Sequence, residues 1–474
     1  MRRTRIVCTI GPASNSPETL RALLAAGMNV ARLNFSPGNH ETHRQTYQAL
    51  RQAAEEMQMP LAILMDLCGP KIRLGEVAPD CELMPGESFY LYPPQPDGRV
   101  AAGNAQGASV TYPGLSEELV VGNRVLIDDG KIELVVEECL PGRLLTRVVH
   151  GGALKSKKGV NLPGAILRTP ALTDKDEVDL RFGLELGVDL VALSFVRRES
   201  DLDRPRQIMD EMGIRRPLIA KIEKTEAVNE LEEILNSADG LMVARGDLGI
   251  EAPLEEVPIV QKEAIKLALR VAKPVITATQ MLETMMTQAT PTRAEVTDVA
   301  NAIFDGTDAV MLSGETASGA FPVQTVQMMD RIARRAERNL DYKSVLLVVA
   351  PKGQSGEAVA LAACEIAEEV QAKAILACTI NGTTVRRIAK YRPRAPILAL
   401  TPDAAMARQL YLTWGVTPVS VNHYETIDEL LKQAEVTAQL QPFLESGDTV
   451  VIVAGMPLGA PTNFIMVRHL GKTL

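Results

Sequence analysis

Apolar positions along this chain fall in two rhythms. Short continuous runs rich in Val, Ile, Leu and Ala occupy 5–10 (RIVCTI), 29–33 (NVARL), 61–66 (LAILMD), 188–194 (VDLVALS), 218–222 (LIAKI), 240–244 (GLMVA), 274–279 (PVITAT) and 309–313 (AVMLS). Longer stretches between them, such as those near 226–236 and 254–271, repeat apolar residues at helical spacing. Strands apolar on both faces, alternating with amphipathic helices, predict a parallel sheet covered by helices. Eight such units predict a closed (β/α)8 barrel over 1–70 and 169–340, about 240 residues against roughly 250 for a typical barrel.

From 72 to 167 the texture changes to short alternating segments (SFYLYP, NRVLIDDGKIELVV, RLLTRVVHGG) broken by Gly and Pro. This reads as an inserted all-β module, 71–168, leaving the barrel at a strand end and expected over its active face. Past 340, the runs VLLVVA (345–350), AILACT, ILALT, VTPVSV and TVVIVA alternate with helix-like stretches. They predict an open α/β domain over 341–474. No fixed-period repeat is found.

Composition narrows the class. Of 474 residues 46% are hydrophobic and 23% charged, the balance of a soluble globular protein. The formal net charge of -9 argues against a nucleic-acid or anionic-membrane binder, so an anionic ligand needs a local basic pocket. Six cysteines without a CxxC pair, a start too short for a signal sequence and no membrane-length apolar run place the expectation in a reducing cytoplasm.

Enzymes on this barrel place their chemistry where strands finish. Here the ends carry Arg32, Asn34 and Ser36, then Asp66, Lys221 and Glu223, Arg245 and Asp247, Thr279 and Gln280, and Ser313 and Glu315. One polar strand end marks only where a strand reaches solvent. A whole rim of converging charges is costly to hold without a ligand or metal among them. In PLIAKIEK, strand alternation puts Lys221 and Glu223 on one face. Glu223 and Asp247 are hard oxygen donors suited to Mg2+ or Mn2+. Arg32 and Lys221 offer fixed positive charge to a phosphate or oxyanion. In ARGDLG, a helix starting past the strand would leave the Gly246 and Asp247 amides free for an anion. The set points to phosphoryl transfer or enolate chemistry; a plain rim salt bridge is the other reading of Lys221 with Glu223.

The segments TRIVCTIGPAS, NVARLNFSPG, DLCGPKIR, LKSKKGVNLPG, AKIEK, MVARGDLGIE, ITATQMLE and PTRAEVTDVANAIFDGTDAVMLSGET resemble the pyruvate kinases, across essentially the whole chain. The resemblance implies transfer of the phosphoryl group of phosphoenolpyruvate to ADP, giving pyruvate and ATP, in an allosteric homotetramer. It assigns Lys221 to the phosphoryl group in flight and the enolate oxygen, and Glu223 and Asp247 to the divalent ion. The substrate carboxylate goes to Gly246 and Asp247, the transferred phosphate to Arg32, and enolate protonation and substrate contact to Thr279. Nucleotide binding falls to Asn34, Phe35, Ser36, Pro37, Gly38, Arg73 and Lys158.

Two departures stand out. Lys71 occupies the place of the family's Glu in GPEIR, and its ammonium is expected to fill the K+ pocket of Asn34, Ser36, Asp66 and Leu67, making K+ unnecessary. Pro37 replaces a His of the nucleotide loop. In CTINGTT, Thr379, Asn381, Gly382, Thr383 and Thr384 open the basic stretch TVRRIAKY. This is either a sugar-phosphate or nucleotide effector cradle or a well-capped helix; the loop GMPLGAPTN completes that pocket or an interface. His40 and His43 lack a third metal ligand and read as a solvated helix start. A Mg2+-dependent aldolase or lyase and a silent sugar-phosphate sensor are the competing readings. The lid with its SKKG stretch argues against the first, and the retained rim set against the second.

Overall fold

The computed structural model describes residues 2–95, 98–340, 353–424, 426–457 and 460–471. The run foreseen at 345–350 lies outside the described residues. Eight parallel strands close a barrel in chain order: Arg5–Thr9, Val30–Asn34, Ala62–Asp66, Leu190–Val196, Leu218–Ile222, Gly240–Ala244, Val275–Ala278 and Ala309–Leu312, the last pairing with the first. Alternation divides each strand. Val7, Val30, Leu64, Ala192, Ile219 and Met311 belong to one buried cluster, whereas Ile6, Ala31, Ile63, Ala220 and Ile222 pack with the helices. Tyr411 and Leu412 of the C-terminal domain join the first cluster from below.

Four Asx residues at the strand starts tie the barrel floor. Asn29, Asp189, Asp239 and Asp308 precede every second strand, and each accepts the backbone N–H of the strand before it: Ile6 at 3.0 Å, Ile63 at 2.8 Å, Leu218 at 2.8 Å and Val275 at 3.1 Å. Three of the four follow a helix-ending glycine with positive φ, Gly27, Gly187 or Gly306, which only a residue without Cβ adopts cheaply. Each Asx also meets an arginine: Arg2, Arg51, Arg206 and Arg392 respectively. Arg408, like Arg392 from the C-terminal domain, adds a second bond to Asp189 at 2.7 Å.

Between the third and fourth barrel strands the chain builds the lid. Its six-stranded sheet runs in the order Val160–Asn161, Arg124–Ile127, Ile132–Leu140, Arg143–His150, Ser88–Tyr92, Gly107–Ser109, with its own core around Phe89, Leu134 and Leu144. The C-terminal sheet orders Val416–Ser420, Ile397–Thr401, Ala374–Cys378, Thr449–Gly455 and Thr462–His469. The first four strands are parallel. The last is antiparallel and was not anticipated, because an edge strand that is only partly buried has no continuous apolar run.

Candidate active site

Where the barrel strands end, the inward columns turn from apolar to charged. Above Ile219 the same face carries Lys221 and then Glu223, while Ile222 packs outward, as alternation requires. The Lys221 ammonium lies 2.9 Å from Glu223 Oε1 and 3.2 Å from Asp66 Oδ1, and donates to Ser194 Oγ at 2.7 Å. On the other side Asp66 Oδ2 accepts Arg32 Nε at 2.6 Å, and Arg32 also donates to Thr9 Oγ1 at 2.9 Å. Five neighbouring strands thus share one charged layer over an apolar plug.

Burial sets the titration of this layer, and pairing decides its sign. Burial alone would lower Lys221, yet Asp66 and Glu223 hold it well above the ordinary lysine range. Burial would raise Asp66, but Lys221 and Arg32 together keep it below the usual carboxylate value. Glu223 is pushed up, first by burial, with Lys221 opposing and the nearby Asp247 charge adding to the push. An almost fully buried carboxylate with a second one beside it makes a donor pair that a divalent cation would relieve. Two carboxylates are hard oxygen donors, the kind of set that suits an ion of the Mg2+ type, which fills its remaining positions with water and substrate oxygens.

Backbone strain gathers at the same rim. Phe195, Thr279 and Gln280 all have positive φ (57°, 70° and 54°), at about 1–3 kcal/mol each. The Phe195 N–H donates to Glu223 Oε2 at 3.0 Å. The Thr279 carbonyl accepts Arg245 Nη2 at 2.7 Å, and its hydroxyl accepts the Gly246 N–H at 2.7 Å. Gly246 and Asp247 open the helix Arg245–Glu251, so the structure brings Lys221, Glu223, Gly246, Asp247, Thr279 and Arg32 to one rim.

The remaining sequence-predicted residues divide. Asn34 pairs in register with Asp66, its side chain accepts the Ser36 N–H at 3.1 Å, and Leu67 O accepts Ser194 Oγ at 2.7 Å. Phe35 shapes the loop: its ring is buried and stacked on His43 at 4.0 Å, its N–H goes to Asp66 O and its carbonyl accepts Lys175 Nζ. Pro37 offers its carbonyl to His43 Nε2 at 3.2 Å, beside Gly38 at φ 89°. Arg73 and Lys158 lie together in the lid, where Arg73 bridges to Gly159 and Lys158 pairs with Asp128 at 2.9 Å.

Lys71 stands apart from the pocket of Asn34, Ser36 and Asp66 in this structure. The turn at Gly69 (φ 69°) sends it outward to the cleft beneath the lid, where it is exposed, and its ammonium makes no hydrogen bond or ion pair with Asn34, Ser36 or Asp66. Both Asp66 oxygens are already taken by Lys221 and Arg32. His40 and His43 do open a helix, His40–Glu56. His40 stacks on Phe182 at 4.1 Å and bonds Asp179 at 2.7 Å, so it is anchored by protein partners as well as partly solvated.

In the C-terminal domain, Thr379, Asn381, Thr383 and Thr384 line a cavity of about 290 Å³ with Arg387, and Gly455, Ala460, Pro461 and Thr462 of the GMPLGAPTN loop close it. Gly382 caps the helix Thr383–Lys390. Some of the loop's amides are spent internally: Gly382 N–H on Thr379 Oγ1 at 2.9 Å and Thr383 N–H on Asn381 Oδ1 at 3.1 Å. Sequence reasoning missed Ser194, Phe195, Lys224 and Glu251 at the rim. Ser194 closes a counted apolar run and was visible; the others rest on a local irregularity between Leu193 and Val196 and on contacts remote in sequence.

Comparison with known proteins adds to this geometry. The family described as pyruvate kinase, barrel domain, matches residues 1–326, and pyruvate kinase, alpha/beta domain, matches 357–468. Pyruvate kinases from Sporosarcina psychrophila and Geobacillus stearothermophilus are each 45% identical, covering 100% of this chain and 81% of their own length. That of Mycobacterium tuberculosis is 44% identical over 99% of both chains. A solved pyruvate kinase from Cryptosporidium parvum superposes with a TM-score of 0.93 at 38% identity, covering 99% of this chain and 96% of that one.

Proposed function

The chain belongs to the pyruvate kinase family, and from that premise we propose that its charged rim transfers the phosphoryl group of phosphoenolpyruvate to ADP with Mg2+ held by Glu223 and Asp247. The observation that carries the reading is the Lys221 ammonium, buried, charged and fixed 2.9 Å from Glu223. In the step, the bond from phosphorus to the enol oxygen breaks and one to a terminal oxygen of ADP forms, leaving the enolate of pyruvate. Lys221 faces the oxygen on which that charge develops, and Arg32 braces the moving phosphate. The Asp247 amide receives the substrate carboxylate, joined by the Gly246 N–H once the substrate displaces Thr279 Oγ1 from it. The Thr279 hydroxyl, held by its strained backbone, passes a proton to the enolate carbon. When bound, the divalent ion would supply charge neutralisation to the phosphoryl oxygens. The lid, carrying Arg73 and Lys158 for the nucleotide, excludes water that would otherwise take the phosphoryl group.

The test is pyruvate formation from phosphoenolpyruvate and Mg2+, with and without ADP. Pyruvate kinase chemistry predicts dependence on ADP; pyruvate at equal rate without it would mean transfer of the phosphoryl group to water and refute the reading. Activity without added K+ is a separate proposal. It rests on Lys71 standing where the family has Glu, and it requires the exposed ammonium to leave the position described above. A tenfold or greater loss in sodium-only buffer, about 1.4 kcal/mol in the barrier, would refute it. The cavity at Thr379–Thr384, with Arg387 on its wall, supports a phosphate-bearing effector, checked by calorimetric titration with sugar phosphates and nucleotides. A homotetramer and a cytoplasmic location are family expectations, the first checked by light scattering. All six cysteines are free, and no helix among the described residues is long and apolar enough to cross a membrane.

A further inference from the structure

One buried ion pair at the rim takes no part in the chemistry above. Glu251, the last residue of the helix Arg245–Glu251, accepts the Lys224 ammonium on Oε1 at 2.7 Å, and both residues are less than a tenth exposed. The same oxygen accepts Asn161 Nδ2 from the lid at 3.0 Å. Three elements therefore converge on one carboxylate. Lys224 directly follows Glu223, Asp247 sits one helical turn before Glu251, and Asn161 ends the lid strand that pairs with Leu126. Thr225 Oγ1 adds a bond to the Glu251 carbonyl at 3.3 Å, and the Lys224 ammonium lies over the Phe195 ring at 5.8 Å.

The chemistry of the three groups differs in a useful way. Lys224 and Glu251 are buried charges and need each other, since an unpaired charge at this depth is strongly unfavourable. Asn161 is neutral and comes from a domain with its own core, so its amide can join or leave at the cost of one charge-assisted hydrogen bond. The permanent pair braces the two loops that carry Glu223 and Asp247. The lid adds its bond only when it lies against that brace.

We propose that Asn161, Glu251 and Lys224 form a latch, with Glu251 a positioning residue that couples the lid to the helix bearing Asp247. The proposal rests on the reading that Glu223 and Asp247 hold the divalent ion. It implies that lid engagement orders the metal-bearing helix, and that this helix in turn sets how often the lid is closed.

The experiment is a double-mutant cycle with two readouts. Asn161→Ala is made in the native chain and in Lys224→Met/Glu251→Leu, which removes both buried charges together and so leaves neither stranded. In metal-free protein, backbone hydrogen exchange is followed over 160–162 and 247–251. Kinetics give kcat and the KM values for both substrates. The latch predicts that Asn161→Ala speeds exchange in both segments and lowers kcat about tenfold, with the phosphoenolpyruvate KM within about twofold. In the charge-free background the same substitution should cost less than about twofold. Faster exchange confined to 160–162, or an equal kinetic cost in both backgrounds, overturns the latch. Glu223→Gln, assayed in parallel, reports on the underlying reading: undiminished metal activation there refutes the metal assignment whatever the cycle gives, whereas lost metal activation with an additive cycle refutes the latch alone.

Discussion

The two ends of the barrel hold buried charge in opposite ways. On the floor, each Asx accepts a strand N–H and an arginine, so Asp308 faces Val275 N, Trp414 N and Arg392, and Asp189 faces Ile63 N, Arg51 and Arg408. Those partners are all protein groups, and two of the arginines belong to the C-terminal domain, so the floor doubles as its mount. On the rim, Lys221, Glu223 and Asp66 also pair, but the layer is strained at Phe195, Thr279 and Gln280 and gathers acid beside acid. Closed networks of charge hold a fold together. A strained one with carboxylates side by side is arranged for a ligand that completes it.

That contrast can be broken by substitution. The largest expected effect is on the floor: Arg392→Ala strands the buried Asp308 carboxylate, about 3–5 kcal/mol of stability, read as a fall in Tm while kcat of the surviving enzyme stays within a few-fold. A large loss of kcat with unchanged Tm would place Arg392 on the wrong side of the comparison. On the rim, Asp247→Asn should reduce kcat about 10²- to 10³-fold and raise the divalent-ion concentration needed for half activity, with Tm unchanged or higher. Thr279→Val keeps the shape and removes the hydroxyl; kcat should fall about 10²-fold, with the proton-exchange rate of pyruvate falling alongside. The smallest effect is a pH slope beneath the nucleotide loop. Burial drives His43 below the ordinary imidazole range, against the Pro37 carbonyl and Asp179, with His40 and Lys175 reinforcing the shift. The unfolded chain, titrating near 6.5, then binds more protons than the folded one, so stability rises with pH from the depressed value up to about 6.5. His43→Gln should flatten that rise in thermal unfolding scans.

Much of the fold was legible because burial on both faces writes strands as continuous apolar runs. All eight barrel strands coincide with such runs to within two residues at each end. The Lys221 and Glu223 pair was legible because period-two alternation decides which side chains share a face. Less local features escaped. The strand Thr462–His469 is an edge with few fully buried positions, so it carried no run to find. The Asx staples of the floor recur by position in the barrel rather than by a fixed count of residues, and so left no periodic signal. Lys224 and Glu251 meet across 27 positions, and nothing in either segment announces the other. Lys71 was read from what replaces it in relatives, whereas its placement is set by the Gly69 turn and by the prior claim of Lys221 and Arg32 on Asp66.

The central claim is that Lys221 is kept buried and charged for the reaction and not for the fold. Lys221→Met, measured for both ADP-dependent pyruvate formation and thermal unfolding, tests it most directly. The prediction is a loss of about 10³-fold in kcat with a smaller fall in Tm than Arg392→Ala gives, because Arg32 still pairs with Asp66 and burial already pushes Glu223 toward its neutral form. A variant that keeps its rate within tenfold while Tm collapses would mean that the rim pair is structural, like those beneath it.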